Sequence, residues 1–491
     1  MNIISKKYRF FEILPGAMLW IFLIGLLVLS FVLPFWVIVF IIIYDLFWLF
    51  RIGYFSFYLV LSWRKCRKVT RQDWLSHVRE LKNWEEYYHL IFLPTYKEGY
   101  NVVREAFVAI KNSNYPKDKM IVVLPGEERD KENFLEIAEK IKKEFGSIFF
   151  KFLITVHPKD LPDEKQGKGS NAHYAGWKAK ALVDELKLDY GKVIVSTFDI
   201  DTLVQPEYFG YLAHKYITAP NPTRRSFQPI AIYANNIWTS SAIVRVVSFG
   251  TTFWLMNELA HPERSGTFSS HSMSFKALVD VGFWDKNVVS EDSRIFLQCL
   301  IKYHGDYQIE PLHIPAYMNT VMISKYWQSL KNLYKQQRRW AWGVENIPYM
   351  FTRFANDKLT PFKIRLKHLF NIVEGMFSWA TAPIFIFVLG RLPLWVAGES
   401  VKEMVFVQNT PFILEGIMTL AMMGIFVSAL LSFFLLPPKP PTVKKTSYLT
   451  MVLQWVLLPV TIIIFGAFPA IDAQTRLMLG KRMGFWVTPK S

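Results

Sequence analysis

Cysteine is scarce in this 491-residue chain, which contains only Cys66 and Cys299. These two form no CxxC pair, so we expect neither a zinc knuckle nor a disulfide framework. The basic, glycine-bearing loop at residues 164–180 lacks the spacing of a P-loop, which disfavours an ATPase. The N-terminal apolar stretch lacks a small-residue cleavage site and is too long for a secretion signal, so we expect it to remain in the mature protein.

Apolar residues, by contrast, make up 52% of the chain and are concentrated towards its two ends. Residues 17–60 are long enough for two passes through a bilayer, with a break at Pro34. Further apolar blocks follow the central region at 369–390, 411–436 and 448–468. The sequence therefore predicts an integral membrane protein.

The last apolar block, 448–468, is interrupted by Pro459 and Gly466 and is followed by Pro469. If all three C-terminal blocks crossed the membrane, the C-terminus would lie outside. The tail TRLMLGKRMGFWVTPK is basic and aromatic, which suits a cytoplasmic interface instead. We therefore expect four full crossings and a last segment that enters the membrane and returns.

Basic residues outnumber acidic ones, and the net charge is +17. They crowd beside the apolar blocks, which is the pattern that marks cytoplasmic flanks of membrane proteins. This location disfavours a nucleic-acid partner and predicts contact with membrane lipids, in the cell or inner membrane. The basic flanks are SKKYR at 5–9, WRKCRKVTR at 63–71, KIRLK at 363–367, KPPTVKK at 439–445 and GKR at 480–482.

The polar region between the apolar ends alternates strand-like and helix-like patterns. Such alternation predicts a mostly parallel sheet with helices on both faces. Ligands of these sheets bind beyond the carboxyl ends of the strands, where LPTYKEG and TFDID both lie. The expected strands are 87–96, 119–125, 151–157 and 192–199, and the expected helices are 101–113, 133–145 and 171–186.

Two carboxylates, Asp199 and Asp201, follow the apolar run KVIVSTF. Side chains at i and i+2 of a strand share one face, so the two aspartates would point the same way. Carboxylates that close repel each other unless a cation or a proton lies between them. Mg²⁺ or Mn²⁺ commonly binds one or two carboxylates together with substrate phosphates. The alternative is a solvated pair at a strand end.

A second acidic pair, Glu291 and Asp292, follows Ser290, which has the position of a helix N-cap. The helix dipole favours acidic side chains in a first turn, so the pair is consistent with nothing more than a well-capped helix. The functional interpretation is that Asp292 acts as a general base at the mouth of the crevice.

Two basic segments are candidates for phosphate recognition. The segment YKQQRRWAWG at 334–343 combines arginines, which pair with phosphate, and tryptophans, which offer flat faces to a sugar. It could equally be an interface helix with basic and aromatic anchors. Loop 164–180 carries Lys165 and Lys168 before a helix start, where phosphate is attracted, although a plain basic surface loop fits too.

The order of these motifs, from PTYKEG through the basic loop, the aspartate pair, the acidic pair and QxxRW to membrane helices, resembles a known family. The chain is similar over essentially its whole length to membrane-embedded family 2 glycosyltransferases, such as the synthases of cellulose, chitin and hyaluronan. The resemblance implies an α/β GT-A-type (Rossmann-like) cytosolic domain inserted between α-helical transmembrane segments. It also implies an inverting hexosyltransferase that uses a nucleotide-diphosphate sugar.

The resemblance also assigns roles to individual residues, and it places FSSHSMSFKALVDVGFWD at 268–285 on the acceptor side. At one place the chain departs from the family, because its second strand ends VVLPGEERD, where Glu127, Glu128 or Asp130 must replace an aspartate-rich end. This leaves the nucleotide base open. The implied roles are Asp292 with Glu291 in catalysis; Thr95, Tyr96, Glu98, Lys168, Asp199, Gln336, Arg339 and Trp340 in donor binding; and Asp201 with Asp199 in holding Mg²⁺ or Mn²⁺.

Two acceptors fit the resemblance: a growing polysaccharide, or a lipid-linked or glycolipid acceptor that receives a single sugar. QxxRW favours the polymer, but few spans are available to form a channel, so a second copy or an export partner would have to complete one. A transporter or scaffold would carry charges inside its spans, whereas Asp45 and Glu374 lie near block edges.

The expected regions are a transmembrane hairpin with a basic juxtamembrane segment at 1–84, the glycosyltransferase domain at 85–320, interface helices at 321–365 and a C-terminal membrane region with a cytosolic tail at 366–491.

Overall fold

The computed structural model of the chain describes residues 3–323 and 325–484, so the end of the predicted cytoplasmic tail, residues 485–491, lies outside the described residues. The chain begins with two long helices, α1 (Ile3–Val32) and α2 (Pro34–Val69). The predicted break at Pro34 is confirmed, because this proline occupies the first turn of α2, where its missing N–H has no helical partner to lose.

One eight-stranded sheet forms the centre of the domain, with the strand order β3-β2-β1-β4-β7-β6-β8-β5. Strands β3, β2, β1 and β4 run parallel, and they are the strands expected from the sequence. The other half is mixed, because β7 pairs antiparallel with both β4 and β6. The strands are β1 (Tyr88–Phe92), β2 (Met120–Glu127), β3 (Lys151–His157), β4 (Val193–Thr197), β5 (Leu203–Val204), β6 (Arg225–Tyr233), β7 (Ser272–Ser274) and β8 (Gln308–Met318).

Helices cover both faces of the sheet, as predicted. In β1, Ile91 belongs to the core on one face, while its neighbours Leu90 and Phe92 belong to the core on the other. This alternation is that of a strand buried on both sides. The domain helices are α3 (Trp74–Arg79), α4 (Tyr100–Lys111), α5 (Lys131–Phe145), α6 (Lys168–Glu185), α7 (Tyr208–Thr218), α8 (Ala242–Glu258), α9 (Phe275–Asp280), α10 (Glu291–Lys302), α11 (Tyr326–Ala341) and α12 (Asn346–Asn356).

After the domain the chain returns to apolar helices. Five helical segments of the described chain are long and apolar enough to cross a membrane: two precede the domain and three follow it. The expected α/β domain, set between helical membrane segments, is confirmed. The last helices are α13 (Phe362–Ile384), α14 (Leu392–Val396), α15 (Glu399–Lys402), α16 (Val405–Phe434), α17 (Ser447–Leu453), α18 (Leu458–Ile462) and α19 (Phe468–Met478).

The fifth of these segments, Ser447–Met478, begins and ends on the side of the membrane that carries the sheet. At its start, Tyr448 packs 5.3 Å from Phe433, at the end of α16. That end of α16 lies beside Trp63 near the end of α2 (Phe434 ring, 5.3 Å). The close of the segment contacts the first turns of α1, where Arg9 donates to the Leu477 carbonyl at 2.9 Å. Its contacts therefore favour re-entry, although its length and composition would suit a span.

Candidate functional site

A cavity of about 1000 Å³ opens at the carboxyl ends of the parallel strands and continues between the membrane helices. Crevices at this edge are the usual ligand sites of such sheets. Its walls come from segments far apart in sequence, and they include every residue to which the sequence assigned a role. These are Thr95, Tyr96, Glu98, Lys168, Asp199, Asp201, Glu291, Asp292, Gln336, Arg339 and Trp340.

The Lys168 ammonium lies at the centre of three carboxylates. Its Nζ is 2.9 Å from Asp199 Oδ1, 3.0 Å from both carboxylate oxygens of Asp292 and 3.7 Å from Glu291 Oε1. Helix α6 begins at this lysine, and α10 begins at the acidic pair. The lysine predicted to bind phosphate is thus held by Asp199 and by the acidic pair Glu291 and Asp292.

The charges of this cluster follow from burial and proximity. Burial raises the pKa of Glu291 above its ordinary value, Asp292 adds to the rise, and Lys168 and Arg339 oppose it. Burial alone would lower the pKa of Lys168, but the attraction of Asp199, Asp292 and Glu291 outweighs it and raises that pKa. Near neutral pH the cluster therefore contains a charged lysine.

Asp199 and Asp201 do not lie on the strand, which corrects the expected geometry. Strand β4 ends at Thr197, and both aspartates belong to the turn that follows. Asp199 Oδ2 accepts a hydrogen bond from Ser269 Oγ at 2.6 Å, whereas Asp201 Oδ2 accepts one from the Asn319 backbone N–H at 3.1 Å. Both line the cavity, but each is held by a different neighbouring segment.

These carboxylates fit one particular kind of metal site. Within residues 3–323 and 325–484, no group of three or more His, Cys, Asp or Glu side chains could hold an ion by itself. Asp201, 6% exposed, and Asp199 nonetheless offer hard oxygen donors to the cavity. Mg²⁺ is typically bound by one or two carboxylates plus substrate phosphates, so the donor set suits a divalent ion held jointly with a diphosphate.

The strand-end motif PTYKEG forms the opposite wall. Glu98 accepts the backbone N–H of Tyr96 at 2.5 Å, and the Tyr96 ring lies 4.4 Å beneath the Arg129 guanidinium. Glu127 forms an ion pair with Arg129 and lines the cavity. Of the three acidic residues at the end of the second strand, Glu127 lines the cavity, whereas Glu128 and Asp130 accept backbone N–H groups of other loops.

Ser290 is the N-cap residue of α10, as predicted, but its side chain makes no capping hydrogen bond. Its Oγ donates instead to Glu345 Oε1 at 2.9 Å. The same oxygen accepts the backbone N–H groups of Val289 at 2.9 Å and Ser290 at 3.2 Å. Glu345 Oε2 accepts the Trp342 indole N–H at 3.0 Å. One buried carboxylate therefore holds the residues immediately before the acidic pair.

Glu345 was not identified from the sequence. Its signal is a single carboxylate within the apolar stretch AWGVENIPYMF, which follows QxxRW directly. Its neighbour Asn346 accepts from Arg294 Nε at 2.6 Å and donates to Ser293 Oγ at 3.0 Å, so two adjacent residues hold the first turn of α10. His271 was missed as well; its Nδ1 lies 3.9 Å from Asp292 Oδ1.

Helix α11 presents the QxxRW side chains to the cavity, whereas Arg338, which lies between them in sequence, faces α19. Gln336, Arg339 and Trp340 line the cavity, and the Trp340 ring lies 5.7 Å from both Tyr233 and Phe268. Arg338 forms an ion pair with Asp472 of α19 at 2.8 Å. The helix therefore combines the two alternatives read from its sequence: one face lines the site and the other is anchored to the membrane segments.

The far part of the cavity lies between membrane helices and contains polar groups. Arg51 of α2 and Glu374 of α13 form an ion pair at 2.6 Å on its wall. Among the described residues, four buried atoms on this wall have no hydrogen-bond partner: Asp45 Oδ1, Trp48 Nε1, Asn257 Oδ1 and Asn371 Nδ2. Buried polar atoms favour polar neighbours, so this part of the cavity suits water or another polar occupant better than an alkyl chain.

Comparison with known proteins places these features in context. Residues 194–468 match the family described as Glycosyl transferase family group 2. The poly-beta-1,6-N-acetyl-D-glucosamine synthase of Staphylococcus aureus (strain MSSA476) is 25% identical over 262 residues, which cover 52% of this chain and 54% of that protein. The match therefore spans about half the length of that synthase.

Two solved structures are similar at low identity. The mannosyltransferase PcManGT from Pyrobaculum calidifontis, in complex with GDP-Man and Mn²⁺, is 14% identical with a TM-score of 0.44, over 80% of this chain and 99% of that one. S. aureus TarS 1–349 in complex with UDP-GlcNAc is 13% identical with a TM-score of 0.37, over 71% of this chain and 91% of that one.

Proposed function

Because this chain belongs to glycosyl transferase family group 2, we propose that it is an inverting, metal-dependent glycosyltransferase that extends a polysaccharide at the membrane. One observation carries the proposal: a single cavity joins the Lys168 cluster to a polar passage between the membrane helices. The basic residues that flank the spans support a cytoplasmic position for the sheet domain.

The chemistry assigns Asp292 the role of base. An acceptor hydroxyl oxygen attacks C1 of the donor sugar and gives its proton to Asp292. The bond from C1 to the diphosphate oxygen breaks, and its electron pair leaves with the diphosphate. Because attack and departure occur on opposite faces, the configuration at C1 inverts. Asp292 is paired with Lys168 at 3.0 Å in the structure, so it must exchange that partner for the hydroxyl.

Donor binding provides the reason for that exchange. The diphosphate brings negative charge into the cavity, where Lys168 and Arg339 are the nearby cations. Lys168 is therefore drawn towards the leaving group, and Asp292 loses its counter-charge as the acceptor arrives. Cations fixed beside the leaving diphosphate stabilise the charge that grows on it in the transition state. A divalent ion at Asp201 and Asp199 would add Lewis-acid stabilisation to the same oxygens.

The polar lining of the membrane passage favours a glycan over a lipid tail. The atoms Asp45 Oδ1, Asn257 Oδ1 and Asn371 Nδ2 need hydrogen-bond partners. Sugar hydroxyls and water provide such partners, and an alkyl chain cannot. Single transfer to a lipid-linked acceptor is the alternative.

Product length tests the choice of acceptor. Membranes containing the protein are incubated with a panel of nucleotide sugars and Mg²⁺ or Mn²⁺, and the release of nucleotide identifies the donor. A labelled donor then reports product size, for which we expect long chains. A product extended by one sugar would refute the polymer assignment and retain the transferase.

A matched pair of variants tests the base. We expect Asp292→Asn to abolish turnover while donor binding is largely retained, since the base acts on the acceptor. Asp306→Asn, at an exposed aspartate outside the cavity, is the control and should be fully active. Loss of donor binding in Asp292→Asn would assign Asp292 a different role.

A further inference from the structure

A second pocket, of about 490 Å³, lies at the end of α2 on the side that carries the sheet. It is separate from the cavity described above and shares none of its lining residues. Arginine and lysine supply most of its lining, and no acidic side chain contributes. The lining residues are Trp63, Arg64, Arg67, Lys68, Arg71 and Gln72.

The positive charge of this basic pocket is not neutralised by the protein. In the part of the chain that the structure describes, none of its arginines or its lysine forms an ion pair with a carboxylate. The acidic residue nearest in sequence, Asp73, is engaged elsewhere: it accepts the backbone N–H and the hydroxyl of Ser76. The basic side chains are exposed, and the Arg67 guanidinium lies over the aromatic face of Trp63, 5.1 Å from the ring centre.

The basic pocket lies at the depth of the lipid headgroups. The apolar side chains that α2 exposes run from Trp36 to Phe57. Trp63 follows Phe57 by about 9 Å along the helix axis, which is within the polar layer that borders the hydrocarbon core. The Trp63 ring packs 5.3 Å from Phe434, which is exposed at the end of α16. Aromatic residues of this kind are typical of the membrane interface.

From these observations we propose that the basic pocket binds the phosphate of an anionic phospholipid headgroup. Arginine pairs with phosphate through two parallel N–H donors, and three arginines surround the space. A lipid is the source that fits, because its acyl chains would extend from the pocket along the exposed apolar faces of α2 and α16. Free phosphate would gain nothing from the Trp63–Phe434 contact.

The occupied pocket would also fix the domain relative to the membrane. Just beyond Arg71 and Gln72, the backbone N–H of Trp74 donates to Glu207 at 2.8 Å, and the Trp74 side chain contacts α7 through Tyr211 at 4.5 Å. A headgroup held by α2 is therefore coupled to the sheet domain through a short connection. This role does not depend on the sugar, the acceptor or the direction of the proposed reaction.

Lipid binding by the purified full-length protein tests the proposal. After delipidation in detergent, native mass spectrometry counts bound phosphatidylglycerol, with phosphatidylcholine as the neutral lipid. We expect selective retention of phosphatidylglycerol. In Arg64→Gln/Arg67→Gln/Arg71→Gln, apparent affinity should fall about 100-fold, since each basic residue contributes about fivefold at an anionic surface. The lysine variant R64K/R67K/R71K keeps the charge and loses the paired N–H donors. Its apparent affinity for phosphatidylglycerol should lie between those of the wild-type protein and the glutamine variant.

The control removes the same charge elsewhere on the same side. Lys131→Gln/Lys142→Gln/Lys143→Gln, at exposed lysines of α5 in the sheet domain and outside the basic pocket, should bind phosphatidylglycerol like the wild-type protein. Equal loss in this control, or equal retention of both lipids by the wild-type protein, would overturn the proposal. Displacement of the lipid by equimolar glycerol phosphate or inorganic phosphate would assign the pocket to a soluble phosphate and overturn the lipid assignment.

Discussion

Replacing Glu345 by glutamine should slow transfer without weakening donor binding. The substitution keeps size and removes the charge. If the amide oxygen stays with Val289 N–H, Ser290 N–H and Ser290 Oγ, the NH₂ group must face the Trp342 indole N–H, which lies 3.0 Å from the present carboxylate oxygen. Two donors then face each other.

The expected cost follows from these contacts. Losing one hydrogen bond to a charged acceptor costs about 1.5–3 kcal/mol, and the three remaining bonds weaken because charge-assisted bonds are about twice as strong as neutral ones. The residues released, Val289 and Ser290, lie immediately before the acidic pair, so Asp292 loses its fixed position. A displacement of about 1 Å at a reacting group can cost about 100-fold in rate. We therefore expect kcat to fall by about 30- to 100-fold.

Steady-state kinetics with the identified donor checks this expectation, together with the melting temperature of each variant. The donor KM should stay within about threefold, because Glu345 contacts neither Lys168 nor Arg339, and the cation that it does contact, Lys165 at 3.7 Å, does not line the cavity. Trp342→Phe removes the opposing donor, so the double variant with Glu345→Gln should recover part of the lost rate. A wild-type kcat in Glu345→Gln would refute the reasoning. A KM that rises in step with a fall in melting temperature would reduce Glu345 to a general stabilising residue.

Three further predictions concern charge, pH and packing. Lys168→Met leaves Asp199 and Asp292 without their cation, so we expect turnover to be lost and the melting temperature to fall, as differential scanning fluorimetry would detect. Burial lowers the pKa of His89 from 6.5 to about 3. On acidification, His89 takes up a proton in the unfolded chain before it does so in the folded chain. The free energy of unfolding is therefore unaffected by His89 above pH 6.5 and declines as pH falls towards 3, by about 2 kcal/mol at pH 5. His89→Leu should melt with less acid sensitivity than the wild-type protein, and identical pH profiles would contradict this. At Gly126, an added Cβ would lie 2.3 Å from the Phe134 ring, so Gly126→Ala should cost about 1–3 kcal/mol in chemical denaturation; an unchanged midpoint would show that the ring can move aside.

The elements of the fold that could be predicted are those whose own sequence shows a clear apolar pattern. Strand β2 is apolar over most of its length and α5 repeats apolar residues at helical spacing, so each could be recognised alone. Strand β7, by contrast, is only Ser272–Ser274, and two of its three residues are serines. Nothing local distinguishes it from a loop, because its neighbours in the sheet stabilise it.

The residues of the candidate site also fall into those that a short motif identifies and those that depend on the folded structure. Asp199 and Asp292 were identifiable because short motifs carry them, and the sheet then brings those motifs to one edge. The turn geometry of Asp199 and Asp201 was not identifiable, since β4 ends two residues before Asp199. Glu345 was also missed, because its role depends on Val289 and Ser290, which come close only after folding.

The return of Ser447–Met478 to the side on which it began has a mechanical consequence. Phe465 and Gly466 of this segment border the passage between the membrane helices. When the middle of the segment shifts, neither of its polar ends has to cross the hydrocarbon layer. This wall of the passage can therefore shift while both ends of the segment stay on one side of the membrane.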